Sequence, residues 1–254
     1  MTMKQMTAVV SGGSSGIGDS ICKHLLDADY KVISLSRRAP RFEHDNLDYY
    51  TVDLMDLQAT QDVADEIAAK YSVTSVVNNA GIVNAKILEE ATVDDLHGLT
   101  NLHVGAAMIL TKAALPAMKE AKFGRIVNMS TRAILGLATR TCYSGTKAAL
   151  VSITKTWAME LGPHGITVNA IAPGPVHSEM FDEVVPEGSD VSKSLAGMIP
   201  VRRIGIPDDV ARATMFFLDP KNSYISGQLL FVCGGSSVGS LIDGGLNAAR
   251  AAGD

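Results

Sequence analysis

The chain is poor in the residues that hold small or specialised folds together. Cysteine occurs three times in 254 residues, at Cys22, Cys142 and Cys233, with no CxxC spacing. That excludes a disulfide framework and gives no sign of a zinc site. Lys and Arg (22) do not outnumber Asp and Glu (27), and the net charge is −5. A nucleic-acid partner would call for a basic patch and a recognition motif, and neither is visible. No apolar run approaches the roughly 18 residues of a membrane span, and the N-terminal residues lack the apolar stretch of a signal peptide. The expectation is a soluble cytoplasmic protein without membrane or nucleic-acid partners. With 46% hydrophobic and 19% charged residues, residues 1–254 read as one large domain.

What is present is a regular alternation. Met6 to Val10 is a short apolar strand that runs into Ser11-Gly12-Gly13-Ser14-Ser15-Gly16-Ile17-Gly18, and a helix follows from Asp19 to Asp27. A strand, a glycine-rich turn and a helix N-terminus form an anion site, because the backbone can approach a pyrophosphate whose charge the free N–H groups favour. The spacing is G-x-x-x-G-x-G rather than G-x-G-x-x-G. A second strand, Lys31 to Leu35, completes a βαβ unit and ends in Ser36-Arg37-Arg38. An acid at that point would suit the ribose hydroxyls of NAD, whereas arginine accommodates the 2′-phosphate of NADP; NADP is favoured and NAD stays open.

Strands then recur at Tyr49–Val52, Ser75–Val77, Arg125–Met129, Thr167–Ile171 and Gln228–Val232. Helices recur at Gln58–Lys70, Val93–Met118 (ending near Pro116), Tyr143–Leu161 and Pro207–Leu218. This pattern implies a doubly wound parallel sheet, Rossmann-like, in three α/β/α layers. Residues 178–199 look irregular and partly amphipathic and suit a substrate lid, with Met180, Phe181, Val184 and Val185 lining a pocket or packing the lid. Residues 240–254 read as a loose tail. Each strand ends in a distinctive cluster: Asp53-Leu54, Asn78-Asn79-Ala80-Gly81, Ser130-Thr131, and Pro173-Gly174.

The helix that opens at Tyr143 places Lys147 four residues on, so phenol and ammonium share one face. A free tyrosine, with a pKa near ~10, is a poor acid or base at neutral pH. A neighbouring cation favours the phenolate, which would make Tyr143 a usable proton donor and acceptor.

Together, Ser11–Gly18, Asp53-Leu54, Asn78–Gly81, Asn101, Ser130-Thr131, Tyr143-x-x-x-Lys147 and Pro173-Gly174 resemble the short-chain dehydrogenase/reductase family, in order and over nearly the whole chain. Pro200–Gly205 and Ile225–Gln228 are similar to its C-terminal segments. The single-domain, 3-oxoacyl-[acyl-carrier-protein] reductase-like members are the nearest in type. The resemblance implies hydride transfer between nicotinamide and a carbonyl or secondary alcohol without a metal. It implies Tyr143 as the proton carrier, with Lys147 lowering its pKa and binding ribose, and Asn101 holding a water beside Lys147. Gly12, Ser14, Ser15, Gly16, Ile17 and Gly18 would wrap the pyrophosphate. Asp53 and Leu54 would border adenine, Asn79, Ala80 and Gly81 the adenine-side ribose, and Pro173, Gly174, Val176 and Ser178 the nicotinamide.

The hydroxyl that orients the substrate is either Ser130, thirteen residues before Tyr143, or Thr131, by alignment of the preceding strand. Cys233 stands where relatives often carry aspartate. Arg132 and Arg140 could grip a carboxylate, or serve a loop or subunit contact; His103 and His177 read as satisfied or exposed histidines. A homotetramer or homodimer is implied by the resemblance alone. A 3-oxoacyl thioester and a small alcohol, sugar or hydroxy acid are both open as substrates. The competing readings are a catalytically silent nucleotide-sensing or scaffolding relative and, further off, a lyase or epimerase.

Overall fold

The computed structural model describes residues 5–238; the expected tail at 240–254 lies outside them. Strands β1 (Thr7–Ser11), β2 (Lys31–Ser36), β3 (Leu47–Thr51), β4 (Ser75–Asn78), β5 (Gly124–Met129), β6 (Ile166–Pro173) and β7 (Leu229–Val232) form one sheet. Their order is β3-β2-β1-β4-β5-β6-β7, and every pairing is parallel. β1, β4, β5 and β6 are buried along their whole length, as parallel strands covered on both faces must be. That is why they appear in sequence as apolar runs without alternation.

Two hydrophobic cores flank the sheet. On one face, α1 (Gly16–Asp27) and α8 (Pro207–Leu218) bring Ile21, Leu25, Val210 and Phe217 onto Val10, Val77 and Val127. On the other, α2 (Leu57–Lys70), α4 (Ala106–Ala121) and α5 (Thr141–Leu161) bring Ile67, Leu110, Met118 and Leu161 onto Val9, Val76 and Ile126. The strand order turns back between β1 and β4, so the loops after these two strands diverge and leave a crevice at the carboxyl edge of the sheet.

Two departures from the sequence expectation lie on the helices. The helix expected over 93–118 is three pieces: α3 (Val93–Thr100), a π-helical stretch (Asn101–Gly105) and α4. Pro116 does not end α4, which continues to Ala121 and stops at left-handed Lys122 (φ 48°). Both Pro116 and Lys112, whose carbonyl loses its helical donor to the proline ring, lie on the exposed face, so the proline sits where the helix does not need that bond for burial. The segment 178–199 is not irregular. It holds α6 (Glu179–Asp182), capped by Ser178, and α7 (Asp190–Met198), capped by Ser189, whose hydroxyl accepts from Ser192 N–H at 3.1 Å.

Candidate active site

The loop after β1 is held by hydroxyl and amide groups rather than by apolar packing. Ser11 Oγ accepts from the N–H groups of Asn79 and Ala80, both at 3.0 Å. The Asn79 side chain donates back to the carbonyls of Ser11 (3.0 Å) and Gly12 (3.2 Å). The two sides of the crevice are thereby stitched together. Behind it a buried ladder runs across the sheet, from Asn78 to Asn128 (2.8 Å) and from Asn128 to Thr154 (2.8 Å). Asn128 is a residue that sequence reasoning missed; an asparagine inside the apolar run Ile126-Val127-Asn128-Met129 was the signal.

Gly12 (φ 71°) and Gly16 (φ 55°) adopt left-handed backbone, which glycine tolerates. Gly18 is required for a different reason: a Cβ there would stand 2.0 Å from the Gly12 carbonyl oxygen and 2.6 Å from Asn79 Nδ2. Gly18→Ala is therefore expected to cost about 2 kcal/mol, a fall of roughly 4–8 °C in Tm. Gly145→Ala, with open space around its Cβ, should hold or raise Tm; thermal unfolding of the two variants checks the contrast. Ser15 is the N-cap of α1, yet its hydroxyl makes no cap bond. The first-turn N–H groups of α1 thus face the crevice beside Ser14, Ser15, Gly16 and Ile17.

At the end of β2, Ser36 is buried with an unpartnered hydroxyl. Arg37 and Arg38 are exposed. Arg38 pairs with Glu179 at 3.3 Å, and Arg41 pairs with the same carboxylate. Ser178 of this segment lies 3.4 Å from where a Cβ on Gly16 would stand. The start of the 178–199 segment is thereby drawn across the glycine loop. Asp53 accepts from Met55 N–H at 3.0 Å, while Leu54 is buried.

The groups read as proton carriers stand together across the crevice. Thr131, just after β5, is a neighbour that favours the charged form of Tyr143, and its hydroxyl accepts from Ala133 N–H at 3.2 Å. Ser130 points the other way: it is buried, and its hydroxyl donates to the Lys147 carbonyl at 2.9 Å. Burial pushes the Tyr143 phenol up, while the Thr131 hydroxyl and the Arg140 charge pull it down, for a net rise. Lys147 is not among the groups that lower it. Lys147 is itself buried, its ammonium donates to the Met129 carbonyl at 2.8 Å, and burial pushes it down to about 7.

The remaining expected residues fall around this centre. Asn101 starts the π-helical stretch, its amide donating to the Met55 carbonyl at 3.4 Å. Gly174 follows β6 with its N–H on the Val232 carbonyl at 2.9 Å, and a Cβ there would meet Cys233 at 2.8 Å. Pro173 and Val176 are buried. Arg132 donates to the Ser236 carbonyl at 3.3 Å and Arg140 to Thr139, so both serve loops in this structure. His177 pairs with Asp182 at 2.6 Å. Among the described residues there is no cluster of ligands for a metal ion.

A glycine-lined crevice at a helix N-terminus, with a phenol, a hydroxyl and a buried amine opposite it, defines a dinucleotide-dependent oxidoreductase of the doubly wound class. A family model described as enoyl-(acyl carrier protein) reductase matches residues 12–237, and the chain belongs to the short-chain dehydrogenase/reductase family. It is 32% identical over 248 residues to (2S)-[(R)-hydroxy(phenyl)methyl]succinyl-CoA dehydrogenase subunit BbsD of Thauera aromatica, covering 94% of this chain and 99% of that one. It is also 32% identical to the 3-oxoacyl-[acyl-carrier-protein] reductase FabG of Rickettsia bellii, covering 90% and 95%. The solved structure "ElxO with NADP Bound" superposes with a TM-score of 0.84 at 28% identity, covering 93% of this chain and 100% of that one.

Proposed function

We propose that this chain is an NADP-dependent oxidoreductase that interconverts a carbonyl and a secondary alcohol. The observation that carries the reading is the Tyr143 phenol beside Thr131, one helical turn before the buried Lys147, opposite the glycine loop. In the reducing direction the phenol of Tyr143 protonates the developing alkoxide. Thr131 steadies that oxygen by a hydrogen bond, like one arm of an oxyanion hole. Thr131 rather than Ser130 takes this role, because the Ser130 hydroxyl is buried on a backbone carbonyl. Lys147, one helical turn on and held on the Met129 carbonyl, would bind the nicotinamide ribose, and Asn101 on the π-helical stretch would hold a water beside it.

The residues fit the cofactor. NADPH, when bound, would supply the hydride to the carbonyl carbon, and NADP+ would accept it in the reverse direction. Gly12, Ser14, Ser15, Gly16, Ile17 and Gly18 would hold its pyrophosphate, where Gly18 leaves no room for a side chain. Ser36, Arg37 and Arg38 would hold the 2′-phosphate, and the unpartnered Ser36 hydroxyl supports this. Asp53, Leu54, Asn79, Ala80 and Gly81 would border the adenosine, and Pro173, Gly174, Val176 and Ser178 the nicotinamide. The 178–199 segment would act as the lid over a small-molecule substrate. A 3-oxoacyl thioester and a small alcohol, sugar or hydroxy acid remain the two substrate classes.

A cytoplasmic homotetramer or homodimer belongs to the same reading. Three unpaired cysteines support the compartment. Exposed Met108 on α4 and Met159 on α5 support the assembly. No described helix is long and apolar enough to cross a membrane.

The test is a fluorescence titration with NADPH and NADH, followed by a panel of carbonyl substrates. Arg37→Ala is expected to weaken NADPH about tenfold or more, the loss of a charge-assisted contact, and to leave NADH unchanged. Glu179→Gln should do the reverse. It frees Arg38 and Arg41 from an exposed ion pair of at most about 1 kcal/mol, so NADPH binds up to about fivefold tighter. Equal binding of both nucleotides by all three proteins would remove the phosphate clamp.

A further inference from the structure

His103 lies on the π-helical stretch two residues after Asn101 and is 2% exposed. Its Nδ1 is 2.9 Å from Thr146 Oγ1. The single hydroxyl hydrogen of Thr146 is directed to the helix carbonyl of Cys142 (2.9 Å) or Tyr143 (3.1 Å). Thr146 therefore accepts from the imidazole, Nδ1 carries the proton, and Nε2 is a bare lone pair. That Nε2 has no partner among the described residues.

A buried acceptor left without a donor costs about 1–3 kcal/mol, which an apolar residue at this position would avoid. Nε2 nevertheless points at the reaction centre. It and Lys147 Nζ each lie 3.1 Å from the point where a Cβ on Gly81 would stand, so the two nitrogens converge over that glycine. The imidazole also stands edge-on to the Tyr143 ring, with centroids 5.7 Å apart. Of the three hydrogens on the Lys147 ammonium, one is donated to the Met129 carbonyl.

We propose that His103 is a positioning residue for Lys147: its Nε2 accepts a second hydrogen bond from the ammonium across one water and holds the amine over Gly81 beside Tyr143. This rests on the reading of Lys147 as the active-site lysine. Among the described residues, Lys147, converging on the same point over Gly81, and Tyr143, edge-on to the ring, are the titratable groups seen against the imidazole, both on α5. Burial, with a smaller contribution from Lys147, holds the His103 pKa far below its ordinary value. It thus stays a neutral acceptor throughout the working range.

The test is NMR titration of the Lys147 side chain, with 13C at Cε, in the ligand-free protein. His103→Phe keeps an aromatic ring against Tyr143 but removes the acceptor, and should move the Lys147 midpoint down by about one pH unit. His103→Gln supplies a carbonyl acceptor and should restore it. In carbonyl reduction, His103→Phe should lower kcat about tenfold with little change in the KM for NADPH. An unchanged Lys147 midpoint in His103→Phe overturns the inference, and so does an equal fall in the Phe and Gln variants. If His103→Phe does not fold, His103→Leu is read in its place by the same criteria. An enzyme that lacks reductase activity while Lys147 still responds to His103 would overturn the catalytic reading and leave the positioning intact.

Discussion

Tyr143→Phe is expected to lower turnover about 10²- to 10⁴-fold, the range for loss of a general acid, and to leave NADPH binding within about twofold. The substitution removes one oxygen and keeps the ring. The packing of Tyr143 against His103 therefore survives, and only the hydroxyl that carries the proton is lost. Steady-state reduction beside a fluorescence titration separates the two effects. The wild-type pH profile carries a second signature. Because the phenol is raised above its ordinary pKa in the ligand-free protein, it remains a proton donor across neutral pH. Reduction should then hold level there and decline only in alkali, while alcohol oxidation rises with pH. Retention of more than a tenth of wild-type turnover by the Phe variant would move the proton to another group. Loss of nucleotide binding would make the tyrosine a binding residue instead.

Lys147→Met is expected to abolish activity and, at acid pH, to stabilise the protein. Lys147 is buried with its pKa pushed down to about 7 from an ordinary 10.5. Below pH 7 both the folded and unfolded chains carry the proton, and the folded state bears the full cost of a buried charge. Between pH 7 and 10.5 the unfolded chain binds the proton more tightly, so wild-type stability rises with pH. Above 10.5 the contribution is gone. A tenfold bias in protonation is about 1.4 kcal/mol, so the gain from Met at pH 6 is on the order of a few kcal/mol. Against it stands the roughly 1–3 kcal/mol of leaving the Met129 carbonyl unpaired, which does not change with pH. Unfolding at pH 6 and pH 10 isolates the charge: the variant should gain on wild type at pH 6 relative to pH 10. An equal difference at both would mean that the amine is solvated.

In sequence, a lysine four residues from a tyrosine shares its helix face and ought to depress its pKa. In the structure the ammonium turns to the Met129 carbonyl and loses much of its charge to burial. Thr131 and Arg140 are the groups that pull the phenol down. Helical spacing predicts shared faces; it does not predict where a flexible four-carbon chain ends.

By itself the sequence determined the class of fold and the edge of the sheet that carries the chemistry. Parallel strands buried on both faces must be written as apolar runs, as in Ala8-Val9-Val10 and Ile126-Val127. A glycine loop between a strand and a helix has few other uses, and the phenol–amine spacing is set by helical pitch. Tertiary structure decided the rest. Ser130 and Thr131 are neighbours on extended backbone and so point to opposite sides. Only the pairing of Ser130 N–H with the Ile171 carbonyl turns Ser130 inward and Thr131 to Tyr143. The π-helical stretch shifts hydrogen bonding by one residue and leaves no mark in composition, yet it aims His103 at Lys147. Glu179 meets Arg38 across 141 residues of chain. Such contacts depend on where the backbone returns, and local residue patterns carry no information about that.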